Sequence, residues 1–175
     1  MRVISGEFRR RRLKAPPGLA TRPTPDRLRE SLFAILQPEL EGVTFLDAYA
    51  GSGAVGIEAL SRGARQAIFV ELDPVALQIL RENLFGLHIE SRAEVVRGRA
   101  AAVLRRREAQ IVFLDPPYPL EEEYRLALAA LAERPPLLTI VQHHHRFDPG
   151  PQHGRLVRCR VVKQGENALT FYRVA

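Results

Sequence analysis

Two short segments carry residue types and spacings suited to chemistry on a small ligand. The first runs Asp47-Ala48-Tyr49-Ala50-Gly51-Ser52-Gly53-Ala54-Val55-Gly56, with glycines 51, 53 and 56 in a G-x-G-x-x-G pattern behind an apolar run. Backbone without Cβ atoms turns tightly and admits a ligand closely, and a helix opening after such a loop presents free N–H groups. Glu71 stands 20 residues beyond Gly51. At the end of a second strand its carboxylate would accept hydrogen bonds from both hydroxyls of a ribose. The pair predicts a site for an adenosine-containing cofactor. Asp47, just ahead of the loop, would repel a pyrophosphate but attract an ammonium or sulfonium. A chain of 175 residues also leaves little room for a dehydrogenase's second domain. Both points favour S-adenosylmethionine over a dinucleotide.

The second segment is Asp115-Pro116-Pro117-Tyr118, directly after the apolar stretch Ile111 to Leu114. Two prolines stop a strand and fix the backbone, and proline offers a carbonyl with no N–H. The turn therefore presents acceptors without a competing donor. An exocyclic –NH2 is a double donor, so the Asp115 carboxylate and Pro116 carbonyl could hold its hydrogens and aim its lone pair. Tyr118 could stack on the face of the base, worth about 1–3 kcal/mol. The chemistry expected is methylation of a planar amine, driven by alignment and by stabilising charge on nitrogen.

Both segments need a scaffold that brings strand ends together. Strands are predicted at 43–48, 66–71, 93–97, 110–115 and 137–142, with helices near 54–62, 74–86, 100–107 and 121–133. Alternation of this kind implies right-handed βαβ units and a parallel sheet covered on both faces. The tail breaks the rhythm, because 155–163 and 167–174 are separated only by Gln164-Gly165-Glu166 and must form a hairpin. The expected fold is α/β: a doubly wound, mostly parallel seven-stranded sheet with a C-terminal antiparallel hairpin. Ahead of it, residues 1–14 read as a short strand pair or extended arm. Thr24 as N-cap and Pro25 at the first helical position then open a helix over 25–37. Residues 1–38 are expected to pack as a basic arm and helix on a main body of 39–175, one globular unit in all.

Charge points to the partner. Residues 1–30 carry nine basic side chains, Arg2, Arg9, Arg10, Arg11, Arg12, Lys14, Arg22, Arg27 and Arg29, against Glu7, Asp26 and Glu30. That +6 excess equals the net charge of the whole chain, so the rest is neutral on balance. A basic arm on a neutral body is the footprint of a phosphate-bearing partner. No apolar run approaches the roughly 20 residues that span a bilayer, and Met1-Arg2-Val3 does not begin a signal peptide, so a cytoplasmic location is expected. Cys159 is the single cysteine, which excludes an internal disulfide or a cysteine-based zinc cluster. His143-His144-His145 reads as a rim contact or solvated loop, because neighbours on a strand point to opposite faces; no metal site is expected.

The glycine loop, an acid ending the second strand and Asp-Pro-Pro-Tyr ending the fourth resemble the class I amino-methyltransferases. Arg2-Val3-Ile4-Ser5-Gly6 with Arg9 to Leu13, Thr21-Arg22-Pro23-Thr24-Pro25-Asp26-Arg27-Leu28-Arg29-Glu30, and Phe45 to Ala64 ending Glu58-Ala59-Leu60-Ser61-Arg62-Gly63-Ala64 closely resemble the RsmD family. The resemblance covers essentially the whole chain. It implies transfer of a methyl group from S-adenosylmethionine to the N2 amine of one guanine of 16S rRNA, position 966 in the family. The substrate would be the small ribosomal subunit or its assembly intermediate, and no obligate protein partner is expected.

The resemblance also assigns roles. Asp47, Gly51 and Gly53 would surround the methionine part with Tyr49 beside them, and Glu71 would hold the ribose. Asp115, Pro116 and Tyr118 would receive the target amine. Arg9, Arg10, Arg11, Arg12, Arg22 and Arg27, in a basic stretch reaching to Arg29, would bind RNA, and the guanine would flip out of its stack. The sequence departs from the family after the third strand, where Gly98-Arg99-Ala100 puts arginine in place of an acid that contacts adenine. Adenine would then rest on the Ala100 backbone and Leu72. Methylation of DNA adenine or a protein amide, a non-catalytic RNA-binding assembly factor and, more remotely, a dehydrogenase are the alternatives.

Overall fold

The computed structural model describes residues 1–17, 25–117 and 120–175. Five strands, β1 (Thr44–Asp47), β2 (Gln66–Glu71), β3 (Ala93–Arg97), β4 (Ile111–Leu114) and β5 (Leu138–His144), are mutually parallel. Three more follow: β6 (Gln152–His153), β7 (Leu156–Gln164) and β8 (Asn167–Val174). The sheet order is β3-β2-β1-β4-β5-β8-β7-β6. β8 inserts antiparallel between β5 and β7, as the short 164–166 connection requires. The sequence pattern does not announce the two-residue β6, which extends the sheet by one strand beyond the seven expected.

Burial explains why the central strands are apolar throughout. All four residues of β1 and of β4 are buried, since helices cover both faces. One core joins the helices α1 (Asp26–Leu36), α2 (Ala54–Ser61) and α3 (Pro74–Leu87) to one face. The second packs α4 (Ala100–Leu104) and α5 (Glu121–Glu133) on the other. Chain order reverses between β1 and β4, so the loops leaving their carboxyl ends flank the topological switch point where α/β sheets hold ligands. The glycine loop and Asp115 are those two loops.

Local signals account for most boundaries. Asp73 caps α3 by accepting the Ala76 N–H at 2.8 Å, Pro74 opens it, and His88 ends it in the left-handed conformation at φ 58°. α1 starts at Asp26, with Pro25 at the cap rather than the first helical position; Thr24 lies outside the described residues. α4 stops at Leu104, three residues short of expectation. The arginines beyond it reach other elements, Arg105 to Glu133 and Arg107 to Glu94. Among the described residues no helix is long and apolar enough to cross a membrane.

Candidate active site

The glycine loop is built by packing as much as by ligand access. Gly53 ends the loop in the left-handed region at φ 85°, and a Cβ there would lie 2.4 Å from Leu80 Cδ1. A Cβ on Gly56 would lie 2.3 Å from Phe69 Cε1. These two glycines let α2 settle on β2 and α3. Gly51, at φ 55°, is different: a Cβ there would meet nothing within 4 Å. Open space on the Cβ side is therefore found at Gly51, whereas at Gly53 that side is filled by the core and only the backbone remains to border a ligand.

Two carboxylates hold the loop. Glu71 accepts from Gly51 N–H through Oε2 at 2.8 Å, and from Leu72 and Asp73 N–H through Oε1 at 2.8 and 2.9 Å. It is half-buried, and a carboxylate has about four acceptor positions, so capacity remains for hydroxyls. Asp47 lies beneath the loop, 1% exposed, accepting the Gly56 N–H at 3.1 Å. Burial, opposed by the Gly56 hydrogen bond and helped by the nearby Glu71 charge, pushes its pKa up to about 7. Both faces of β1 are covered, so the Asp47 side chain has no solvent to turn to, and the charge expected of it is opposed by burial. The residues fit a cationic nucleoside, with an acceptor for hydroxyls at Glu71, an open backbone at Gly51, and at Asp47 a buried acid with no ion-pair partner among the described residues.

On the side expected to hold adenine, Leu72 is 52% exposed. Arg99 is exposed at the start of α4, and Ala100 is buried in the second core, leaving its backbone as the surface it can offer. Tyr49, expected beside the cofactor, turns its side chain toward α5. Its ring packs against the second core and its hydroxyl donates to Glu123 Oε2 at 3.1 Å. Burial, with the Glu123 charge, holds the phenol well above the usual tyrosine range. Tyr49 thereby ties the glycine loop to α5.

The Asp115 turn lies across the switch point. Asp47 is in register with Phe113, and Ala48 N–H donates to the Phe113 carbonyl at 3.0 Å. Asp115, two residues beyond Phe113, therefore emerges beside the start of the glycine loop. Asp115 is half-buried, Pro116 buried and Pro117 exposed. The Pro117 carbonyl accepts from Leu120 N–H at 3.1 Å and so closes the turn. Tyr118 lies outside the described residues. His143, on β5, is 3% exposed and not part of a solvated loop. Its Nε2 lies 2.8 Å from Thr170 Oγ1 and its Nδ1 2.9 Å from the His144 carbonyl. Burial pushes its pKa down, so the ring is a neutral core group. The His144 and His145 rings stack with centroids 4.5 Å apart.

The basic arm is a clamped hairpin. Arg2 bridges Arg12, and Val3, Phe8 and Leu13 enter the first core. Glu58, 0% exposed on α2, accepts from Ile4 N–H at 2.8 Å, Ser5 N–H at 2.9 Å and Arg62 Nε at 2.8 Å. Ser61 Oγ accepts from Phe8 N–H and donates to the Ser5 carbonyl, and Asn83 pairs with both backbone groups of Lys14. Arg9 to Arg12 and Arg27 are thereby left exposed on a fixed platform. Arg29 is corrected: it is 0% exposed, donating to the Arg2 carbonyl at 2.7 Å and to Asp26 at 3.0 Å, so it braces the hairpin from inside. Arg22 lies outside the described residues. Sequence reasoning misses the clamps at Glu58, Ser61 and Asn83; the signal available is a glutamate and a serine inside the otherwise apolar run AVGIEALS.

Residues 1–173 match the family model described as conserved hypothetical protein 95. The putative rRNA methyltransferase YlbH of Bacillus subtilis (strain 168) is 40% identical over 99% of this chain and 98% of its own. Ribosomal RNA small subunit methyltransferase D of Escherichia coli (strain K12) is 42% identical over 67% of this chain and 60% of its own. A solved structure titled putative methyltransferase yhhF, from Escherichia coli, superposes with a TM-score of 0.84 at 36% identity, covering 99% of this chain and 97% of that one. The chain belongs to this family, the RsmD-type methyltransferases that use S-adenosylmethionine on a class I fold.

Proposed function

We propose that this methyltransferase modifies the N2 amine of a guanine in 16S rRNA, taking the methyl group from S-adenosylmethionine. The observation that carries the reading is the placement of the Glu71-braced glycine loop and the Asp115 turn on either side of the β1/β4 switch point. When bound, the cofactor supplies an electrophilic methyl group. Glu71 would hold the ribose hydroxyls while keeping its hydrogen bond from Gly51. Leu72 and the Arg99–Ala100 backbone would border the adenine. Asp115 and the Pro116 carbonyl accept the two hydrogens of the amine, fixing its lone pair toward the methyl. As nitrogen gains positive charge, the same acceptors stabilise it, and Asp115 receives the proton that leaves. Exposed Arg9 to Arg12 and Arg27, together with Arg22, bind phosphates of the rRNA, and the target guanine leaves its stack to enter the site. Incorporation of tritiated methyl into 16S rRNA, but not into a DNA duplex or a protein fraction, tests the reading; label in DNA or protein alone would reject it.

Replacing Arg9 to Arg12 with alanine removes up to four cations that face phosphates. The slope of log K against log salt for rRNA binding is expected to flatten by about 0.7–0.9 for each phosphate no longer neutralised. An unchanged slope would take these arginines out of the interface. Asp47 gives a pH signature. The folded chain keeps its proton up to about pH 7, while an ordinary aspartate carboxyl loses it near 3.8. Stability without cofactor therefore falls as pH rises between those values. A cationic ligand favours the ionised form, so S-adenosylmethionine affinity should rise from pH 6 to pH 8. In Asp47→Asn the calorimetric affinity should be weaker and flat across that range; a wild-type affinity that does not vary would contradict the role.

A further inference from the structure

The outer face of α3 combines features that neither the fold nor the methyl-transfer site uses. Pro74, Gln78, Arg81, Glu82 and Phe85 line an open cavity of about 490 Å³. Their spacing puts them on one side of the helix, and from Pro74 to Phe85 the strip runs about 16 Å at 1.5 Å per residue. Phe85 is 68% exposed, the largest exposure of any large apolar side chain among the described residues. His88 lies edge-on to its ring, centroids 6.3 Å apart at 60°. The arm hairpin supplies the cations beside it. Arg11 donates to the Gly86 carbonyl at 2.7 Å, which fixes its guanidinium one residue from Phe85. Lys14 neutralises Glu82 at 2.8 Å, so the one acid of the strip is already paired. Arg81 makes no ion pair among the described residues.

The strip sets an exposed aromatic ring near guanidinium groups, and its one acid is already neutralised by Lys14. It suits an unpaired nucleotide, whose base stacks on the ring while its phosphates meet guanidinium groups. At its amino-terminal end the strip adjoins Leu72 and Val75, 52% and 51% exposed, beside Glu71. A strand lying along α3 would thus run from the arm to the cofactor side of the switch point.

We infer that the Phe85–Arg81 face of α3, with Arg11, is a second RNA subsite that stacks an unpaired base of the substrate away from the methylated one. The inference rests on the RNA reading of the site above. Phe85→Ala should raise the KM for free 16S rRNA about tenfold, since stacking is worth about 1–3 kcal/mol and 1.4 kcal/mol is tenfold. The kcat, the thermal midpoint and calorimetric binding of S-adenosylmethionine should stay unchanged. Phe85→Trp should restore the KM, and Arg81→Ala should lower the salt slope of rRNA binding by about one phosphate's worth. An unaltered KM in an otherwise active Phe85→Ala enzyme would overturn the inference. So would a defect seen with assembled 30S particles and not with free rRNA, which would place a ribosomal protein on this face. Filter binding of 16S rRNA to wild type and Phe85→Ala reads the subsite without catalysis. A wild type that binds rRNA through Phe85 but transfers no methyl to it would reject the proposed function and leave this subsite standing.

Discussion

Asp115→Ala is expected to lower the rate of methyl transfer by about a thousandfold or more while S-adenosylmethionine binding stays within about threefold of wild type. The asymmetry follows from where the two groups of residues sit. Glu71 ends β2 and holds Gly51, whereas Asp115 leaves β4 on the opposite side of β1. Removing the carboxylate takes away an acceptor for the amine and the group that steadies developing charge, and losing one such preorganised partner costs roughly 10²–10³ in rate. Poorer alignment adds to it. Asp115→Asn keeps one acceptor oxygen and should fall between the two. Single-turnover kinetics beside calorimetry separates the two effects. Transfer at the wild-type rate in Asp115→Ala would remove the residue from the reaction.

The largest structural effect is expected at Glu58. Its carboxylate is 0% exposed and serves three donors, two of them backbone N–H groups of the hairpin and the third Arg62 Nε. Glu58→Ala leaves all three without their acceptor and a largely buried guanidinium without its anion. Breaking a buried pair in this way costs about 3–5 kcal/mol. At roughly 2–4 °C per kcal/mol for a chain of this size, the midpoint should drop by about 10 °C. The hairpin would also lose its seat on α2, so trypsin should cut after Arg9 to Arg12 far faster than in wild type, and rRNA binding should weaken with cofactor binding spared. Glu58→Gln, which keeps one acceptor, should recover part of the midpoint. A midpoint indistinguishable from wild type would show that the hairpin is held by its apolar contacts alone.

Most of the parallel sheet is legible in the sequence because β1, β2, β4 and β5 are largely buried and read as apolar runs, while the edge strand β3 is marked by its short Val-Val core between helical stretches. β2 and β3 begin and end where the pattern places them. β5 runs on to His144 because β8 pairs with it there, His143 against Ala168 and His144 against Asn167, a partnership no local pattern encodes. β6 exists only as the partner of the first two residues of β7. The arm is legible as charge and opaque as structure. Its core residues Val3, Phe8 and Leu13 are five apart, a spacing that matches neither strand nor helix. At the site, residue types convey the chemistry and misplace some of the geometry. The motif pattern does not distinguish Gly51, open above its backbone, from Gly53 and Gly56, closed by Leu80 and Phe69. Nor does it show that Asp47 lies under the loop or that the Tyr49 hydroxyl bonds to Glu123 of α5. Those facts depend on which face of β1 each helix covers.

The central claim is the identity of the methylated atom. Free 16S rRNA and 30S particles, incubated with the protein and tritiated S-adenosylmethionine, would be digested to nucleosides and the label assigned by chromatography and mass. The predicted result is N2-methylguanosine from a single position with at least one substrate, abolished by Asp115→Ala. Label in methyladenosine, or incorporation into neither substrate by a chain that binds the cofactor, would contradict the account.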